Sequence, residues 1–431
     1  MNIANRVRAI TALLPIFLRG CSKRIGQRGA SLLEYSLVVG LIALLAVISV
    51  GSTGETVRNI YCQVTETVQR EIKGDTGPFE CLGSSDLAGL PGAAGPRVII
   101  PDTYAPVDPN LVMIFAGNTA GFFLDATGTG GLIEWGDGQT TPILPGDRSY
   151  SHTYASAQEW TVNITGVIRG MRNVSTNVAE VVSFGTVGLQ HLSNAFTGAT
   201  NLRFVAALPD TVTNIGNIFM GATSVPEQVA AWNVSNVVSM DSAFMNTPNF
   251  NLDIAYWDVS NATGIQGMFY NSASFNADIS AWDTSNATSM RDMFRLAVSF
   301  NADISAWYTS NVTSMNRMFL GAVSFNQPIG GWDVTGASAQ GSSAWDVFDR
   351  MFSNATSFNQ PLDGWDMSWV RNSTQSGGSL FSSQNLTSMF SGASAFAQDL
   401  SGWCLPLHPT IPSNFSSGSP MVSQPLWGQS C

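Results

Sequence analysis

Ser285-Asn286-Ala287-Thr288-Ser289-Met290-Arg291-Asp292-Met293-Phe294-Arg295-Leu296-Ala297-Val298-Ser299-Phe300-Asn301-Ala302-Asp303-Ile304-Ser305-Ala306-Trp307 decides the fold, because the chain repeats it. Trp232, Trp257, Trp282, Trp307 and Trp332 stand 25 residues apart. Phe219, Phe244, Phe269, Phe294 and Phe319 keep that step, and so do Phe250, Phe275, Phe300 and Phe325. Two later copies are stretched. Phe352, Phe358 and Trp365 follow an insertion around 336–346, and Phe390, Phe396 and Trp403 follow one around 368–382. Such a period is too long for a hairpin and fits one coil of a solenoid, which buries its apolar side against the next coil. Each coil offers a Met, two Phe, an Ile and a Trp to the interior. Five such side chains give roughly 10 kcal/mol of gross burial, most of it realised only when coils stack. The Thr-Ser-Met stretch predicts a short strand, and Asn at fixed positions predicts hydrogen-bonded ladders at the turns. The periodic aromatics therefore read as core rather than as a ligand platform. The acids Asp253, Asp278 and Asp303, and Asp258, Asp283 and Asp333, are in phase too. No D-x-D-x-D-G loop accompanies them, so they read as a solvated face, and no metal or other cofactor is expected.

With these motifs the array, over 173–403, resembles the BspA-like leucine-rich-repeat surface proteins of the 26-residue surface-protein class. That resemblance implies an LRR-like β-solenoid, a cell-surface location and adhesion to host, matrix or cell-surface proteins or glycans. Beyond Trp403, residues 404–431 carry Cys404, Cys431, the Pro-rich Leu405–Pro412 and Trp427-Gly428. They read as a disulfide-closed cap over the last coil.

Toward the N-terminus, residues 101–172 change to short β segments with turn signals. Leu111–Ala116, Gly121–Asp125, Leu132–Trp135 and Trp160–Ile168 are the better strands. Trp135-Gly136-Asp137-Gly138 is a tight hairpin signal, because Gly supplies positive φ. With His152-Thr153-Tyr154 ahead of the strand from Trp160, this module resembles the PKD-type β-sandwich. The resemblance implies a spacer or contact domain and a structural role for His152. Residues 74–100 are rich in Gly and Pro and read as a flexible linker.

The first 29 residues hold Arg6, Arg8, Arg19, Lys23, Arg24 and Arg28 and no acid. A Gly29-Ala30 junction follows, then Glu34-Tyr35 and a run from Leu37 to Val50 without charge. With Leu32 and Leu33 the run approaches the ~20 residues needed to span hydrocarbon. A conventional signal peptide has its apolar core before the cleavage site; here the junction comes first, so cleavage leaves the core on the mature chain. Val57, Ile60, Tyr61, Val64, Val68 and Ile72 continue at three- and four-residue steps, the pattern of an amphipathic helix. Residues 1–29 and 30–73 thus resemble the leader and N-terminal helix of Flp-type (type IVb) pilins. The resemblance implies cutting by prepilin peptidase between Gly29 and Ala30, a transmembrane helix in the inner membrane, and contacts with other pilin subunits on a bacterial surface or pilus. Glu34 inside an apolar run is costly, and the Ala30 amine of a neighbouring subunit would neutralise it; Tyr35 belongs to the same assembly motif.

Removing the leader takes Cys21 and leaves Cys62, Cys81, Cys404 and Cys431. An even set without C-x-x-C in an exported chain reads as two disulfides of about 3 kcal/mol each, by local pairs 62 with 81 and 404 with 431. The net charge is −11, or −17 after losing six basic residues (−11 − 6), which excludes non-specific nucleic-acid binding. His152, His191 and His408 are the only histidines, and no H-E-x-x-H, G-x-S-x-G or Walker loop occurs. The expectation is a multidomain, non-enzymatic, pilin-like adhesin, a minor or tip subunit. The alternatives are a surface LRR protein that is anchored but not assembled into a pilus, and an anchored glycan hydrolase.

Overall fold

The structure is a computed structural model, and it describes residues 109–336, 347–370 and 385–429. The expected leader, pilin helix and linker lie outside these residues, with Gly29, Ala30, Glu34, Tyr35, Cys62 and Cys81; so do Cys431 and most of both insertions.

Seven strands form the first part: β1 Leu111–Ala126, β2 Gly131–Glu134, β3 Thr140–Ile143, β4 Gly146–Ile164, β5 Ile168–Arg172, β6 Val178–Ser183 and β7 Phe204–Val205. They lie in one sheet in the order β3-β2-β4-β1-β6-β7, with β5 also on β1. The long antiparallel pair β1 and β4 is its spine, running from Leu111↔Ile164 to Ala126↔Gly146. Alternation buries Leu111, Met113 and Phe115, then Ala120, Phe122 and Leu124. The switch from odd to even positions coincides with a register shift between Gly117 and Thr119, and Gly117 takes φ 126° there. One irregular step thus keeps both halves of a long strand facing the core.

The expected fold class needs correction. The anticipated two-layer β-sandwich is a single open sheet ending at β3 and β7. Among the described residues there is no α-helix, the 3-10 turn at Glu227–Ala231 being the one named helical element, and no helix is long and apolar enough to cross a membrane. The anticipated β-solenoid fails as well, because the repeats contribute no strand row. Beyond the short parallel pair of β6 with β7, their parallel contacts are bridges of a single residue each, as in Gly170↔His191, His191↔Asn214, Asn214↔Ser239, Ser239↔Gly264 and Gly264↔Ser289.

The backbone explains why no strand grows. Each repeat has two left-handed residues soon after the bridge. The first site holds Asn217, Ser242, Gly267, Asp292, Arg317 and Arg350; the second holds Gly221, Asn246, Asn271, Leu296, Gly321 and Asn354. An extended segment cannot pass through a left-handed residue. Tight turns form instead, as in Met293 N–H to Met290 C=O (3.3 Å) and Ala297 N–H to Phe294 C=O (3.1 Å). Between these turns the amides bond to the next repeat: Phe294 N–H to Met318 C=O and Phe319 N–H to Met351 C=O, at 3.0 and 2.9 Å.

The repeats stack through their interior. Phe269, Phe294 and Phe319 form one column and Phe275, Phe300 and Phe325 another, with ring centroids 5.8 Å apart along each. Phe294 and Phe300 also lie face to face at 3.8 Å. Every periodic Trp sends its indole N–H back one repeat, as Trp282 to Ile254 C=O and Trp307 to Ile279 C=O. That bond satisfies the polar end of an otherwise buried side chain. Outside, the amides of Asn276, Asn301, Asn326 and Asn359 each bond to the side-chain oxygen of the Asn one repeat earlier, at 2.7–2.9 Å. The apolar core is continuous from Leu111 to Phe415. At the far end, β8 Cys404–Leu405 pairs with β9 Leu426–Trp427, and Phe415 meets Phe390 edge-on.

Candidate functional site

The hairpin and His-Thr-Tyr stretches meet in the sheet. His152 Nε2 lies 2.8 Å from Asp137 Oδ2, its ring stacks on Trp135 at 5.1 Å, and Tyr154 donates to Trp135 C=O at 2.9 Å. The Gln139 amide, chiefly, and His152 hold the Asp137 carboxyl below its ordinary pKa. Burial pushes the Tyr154 phenol up to about 12. Gly136 is required here: at φ 89° a Cβ would fall 2.5 Å from Thr161 C=O. These groups fasten a turn to a strand. His191 lies 3.4 Å from Asp125, which Arg169 also binds at 2.7 Å. His408 is buried in the C-terminal segment, its Nδ1 2.8 Å from Thr410 C=O, and burial lowers its pKa. Each histidine has its own neighbourhood.

The in-phase acids are engaged locally. Asp278 Oδ1 accepts the Ser280 amide at 2.9 Å and hydroxyl at 2.7 Å. Asp253, Asp258, Asp283, Asp303 and Asp333 accept the amide two residues on in the same way. Backbone hydrogen bonds, first, lower the pKa of Asp278 and Asp303; side-chain hydroxyls, first, lower that of Asp283 and Asp333. They are turn-forming Asx residues. Among the described residues no three His, Cys, Asp or Glu are grouped to hold a metal ion.

Two surface features were not singled out from sequence. Tyr256 is 94% exposed, while the Trp beside it is buried. It borders a shallow depression of about 330 Å³ with Asn251, Asp253, Ala277 and Asp278. The second feature is a convergence on Asp292. Arg317 Nη2 donates to it at 3.1 Å, Arg291 Nε lies 3.3 Å away, and Arg295 Nη1 lies 3.4 Å away. The Arg295 guanidinium sits over the Tyr270 ring at 4.8 Å. The signal for this patch was in the numbering: Arg317 stands one period after Asp292. Of the four cysteines that remain after the expected cut, Cys404 falls in the described residues and is disulfide-bonded.

A stack of similar units with an aromatic interior and one amide ladder outside is a repeat protein. Four overlapping stretches, 162–272, 190–295, 256–343 and 278–403, match one family model, described as Mycoplasma protein of unknown function, DUF285. Together they run from 162 to 403, more than half of the 431 residues, and the chain belongs to that family. The pilin-like and PKD-like resemblances have no family match of their own. No curated protein and no solved structure matches the chain.

Proposed function

We propose that this chain is a bacterial cell-surface adhesin whose repeat stack binds a protein or glycan and whose pilin-like N-terminal stretch carries it outside the cell. The observation that carries the binding role is Tyr256. The periodic Phe and Trp side chains are buried, yet this Tyr stands 94% exposed beside a polar depression. An exposed aromatic next to Asn and Asp suits the apolar face and hydroxyl rim of a sugar, or a protein side chain.

The export role is supported by the basic stretch, the Gly29-Ala30 junction, Glu34-Tyr35 and the uncharged run to Val50. In this reading prepilin peptidase cuts between Gly29 and Ala30, and the apolar run tethers the chain in the inner membrane. Glu34 then meets the Ala30 amine of another pilin subunit. A bulky repeat stack packs poorly along a filament, so the chain serves as a minor or tip subunit. Cys62 with Cys81, and Cys404 with Cys431, close two disulfides after export.

N-terminal sequencing of C-terminally tagged protein tests the processing. The expected first residue is Ala30; a start at Met1, or one beyond Val50, overturns it. A glycan and matrix-protein array probed with the full chain and with Tyr256→Ala tests the binding role. At least one ligand should be retained by the former and lost by the latter, and identical profiles would remove Tyr256 from the reading.

A further inference from the structure

Positive charge is scarce along the repeats. After Lys73 there is no lysine, and after Arg203 the arginines are Arg291, Arg295, Arg317, Arg350 and Arg371. The first four fall in three consecutive repeats, on the edge that carries the left-handed residues. At the first left-handed site other repeats use Asn, Ser or Gly; these three use Asp292, Arg317 and Arg350, at φ 55°, 54° and 53°. A long side chain in that conformation costs roughly 1–2 kcal/mol relative to the right-handed one. The edge therefore carries charge at positions where the backbone favours small neutral residues.

The charges do not cancel. Asp292 serves three guanidiniums, and Asp349 stands next to Arg350 in sequence. Four Arg against two Asp leave +2 (4 − 2) on a chain of net −11. Arg317 is held by its bond to Asp292, and Arg295 by that acid and by the Tyr270 ring. Arg295 Nε is buried without a hydrogen-bond partner. Arg291 contacts Asp292 through Nε, and its side chain is about half exposed. Arg350 is exposed as well. Arg317 and Arg350 occupy equivalent places in adjacent repeats, joined by Arg317 N–H to Asp349 C=O at 2.9 Å. Repeats bonded in this way step by about 4.8 Å, the spacing of neighbouring strands.

We propose that this edge is a binding site for an anionic polysaccharide, with the guanidinium forks of Arg291 and Arg350 pairing its sulfate or carboxylate groups and Arg317 and Arg295 shaping the platform between them. A planar guanidinium matches such groups with two parallel hydrogen bonds. A rigid line of cations suits a linear polymer that bears an anion on successive sugars. Single-stranded nucleic acid fits less well, because it needs an open aromatic ring for its bases, and the ring in the patch is already covered by Arg295. The proposal names a ligand class for the surface-binding reading and rests on that reading for its setting. Its test uses purified protein and so fails or succeeds independently of where the chain resides.

The full chain is titrated with heparin, hyaluronate, neutral dextran and single-stranded DNA at several salt concentrations. The expected result is salt-sensitive binding to heparin or hyaluronate and none to dextran. Arg291→Gln with Arg350→Gln should weaken that binding roughly tenfold or more, with an unchanged melting curve. Arg291→Lys should restore charge but only part of the affinity. A second readout needs no variant: bound polysaccharide should slow phenylglyoxal modification of Arg291 and Arg350, followed by mass spectrometry. Absence of binding, equal affinity for the double variant, unprotected arginines, or tighter binding to DNA would each overturn the assignment.

Discussion

Replacing Phe294 by alanine removes the side chain on which three repeats meet. Its ring is fully buried and lies 3.8 Å from Phe300, 5.8 Å from Phe269 and 5.8 Å from Phe319, centroid to centroid, with Trp307 tilted against it at 6.0 Å. Truncating a fully buried Phe costs about 3–5 kcal/mol through lost transfer energy and the cavity left behind. The upper end applies here, because flanking rings fixed by backbone bonds on both sides cannot collapse into the gap. In a stacked array the damage also falls on coupling between neighbours. The variant should therefore lose the two interfaces of its repeat as well as its own packing. Urea unfolding followed by tryptophan fluorescence reads this directly, since Trp282 and Trp307 flank the lesion. The expected outcome is a midpoint shift worth about 4–5 kcal/mol, with the transition broadened or split as the two sides of the stack uncouple. Phe294→Leu should cost about 1–1.5 kcal/mol and keep one transition. A loss below 1 kcal/mol for the alanine variant, with a single unchanged transition, would refute a stack held by its aromatic columns.

Three further outcomes follow from the same geometry. Asn301→Ala removes the acceptor for the Asn326 amide and should cost about 1 kcal/mol in denaturant unfolding, whereas Asn301→Asp keeps an acceptor and should cost less. Gly170→Ala drives a Cβ into the His191 ring, so it should destabilise the protein by about 1–3 kcal/mol; adding His191→Ala should recover most of that in a double-mutant cycle. His408 is buried and its folded pKa lies below the ordinary 6.5, so the unfolded state binds the proton first. Its stabilising contribution is full above that ordinary value and is lost as pH falls below it. A pH series of melts read at Trp427, which meets His408 edge-on, should show this acid sensitivity, and His408→Leu should remove it.

The repeat was legible because burial of aromatics leaves a periodic mark: the Phe columns, the Trp spacing and the Asn ladder can all be read from residues 25 apart. The missing strand row had a signal too. Asn or Gly recurs at Gly221, Asn246, Asn271 and Gly321, and those residues favour the left-handed turn that stops a strand. Asn at fixed positions points to the turn ladders, but the strand expected at Thr-Ser-Met takes no account of the left-handed sites that follow it. The β1 bulge at Gly117 was harder to see, because a parity switch inside one long strand looks like two strands with a turn. The arginine patch was hidden for a different reason. A consensus directs attention to what repeats, and Arg291, Arg295, Arg317 and Arg350 are departures from it. Their convergence depends on which side of the turn each departure faces, and the structure supplies that. Tyr256 is similar: it occupies the place next to the buried Trp where other repeats have Ala or Gly, so its exposure follows from the phase of the coil.

Protease shaving of intact cells that carry the chain with a C-terminal tag tests surface display most directly. The account predicts that the tag and the repeat stack are removed from intact cells while a cytoplasmic control protein survives. Full protection of the tag until the cells are lysed would contradict it.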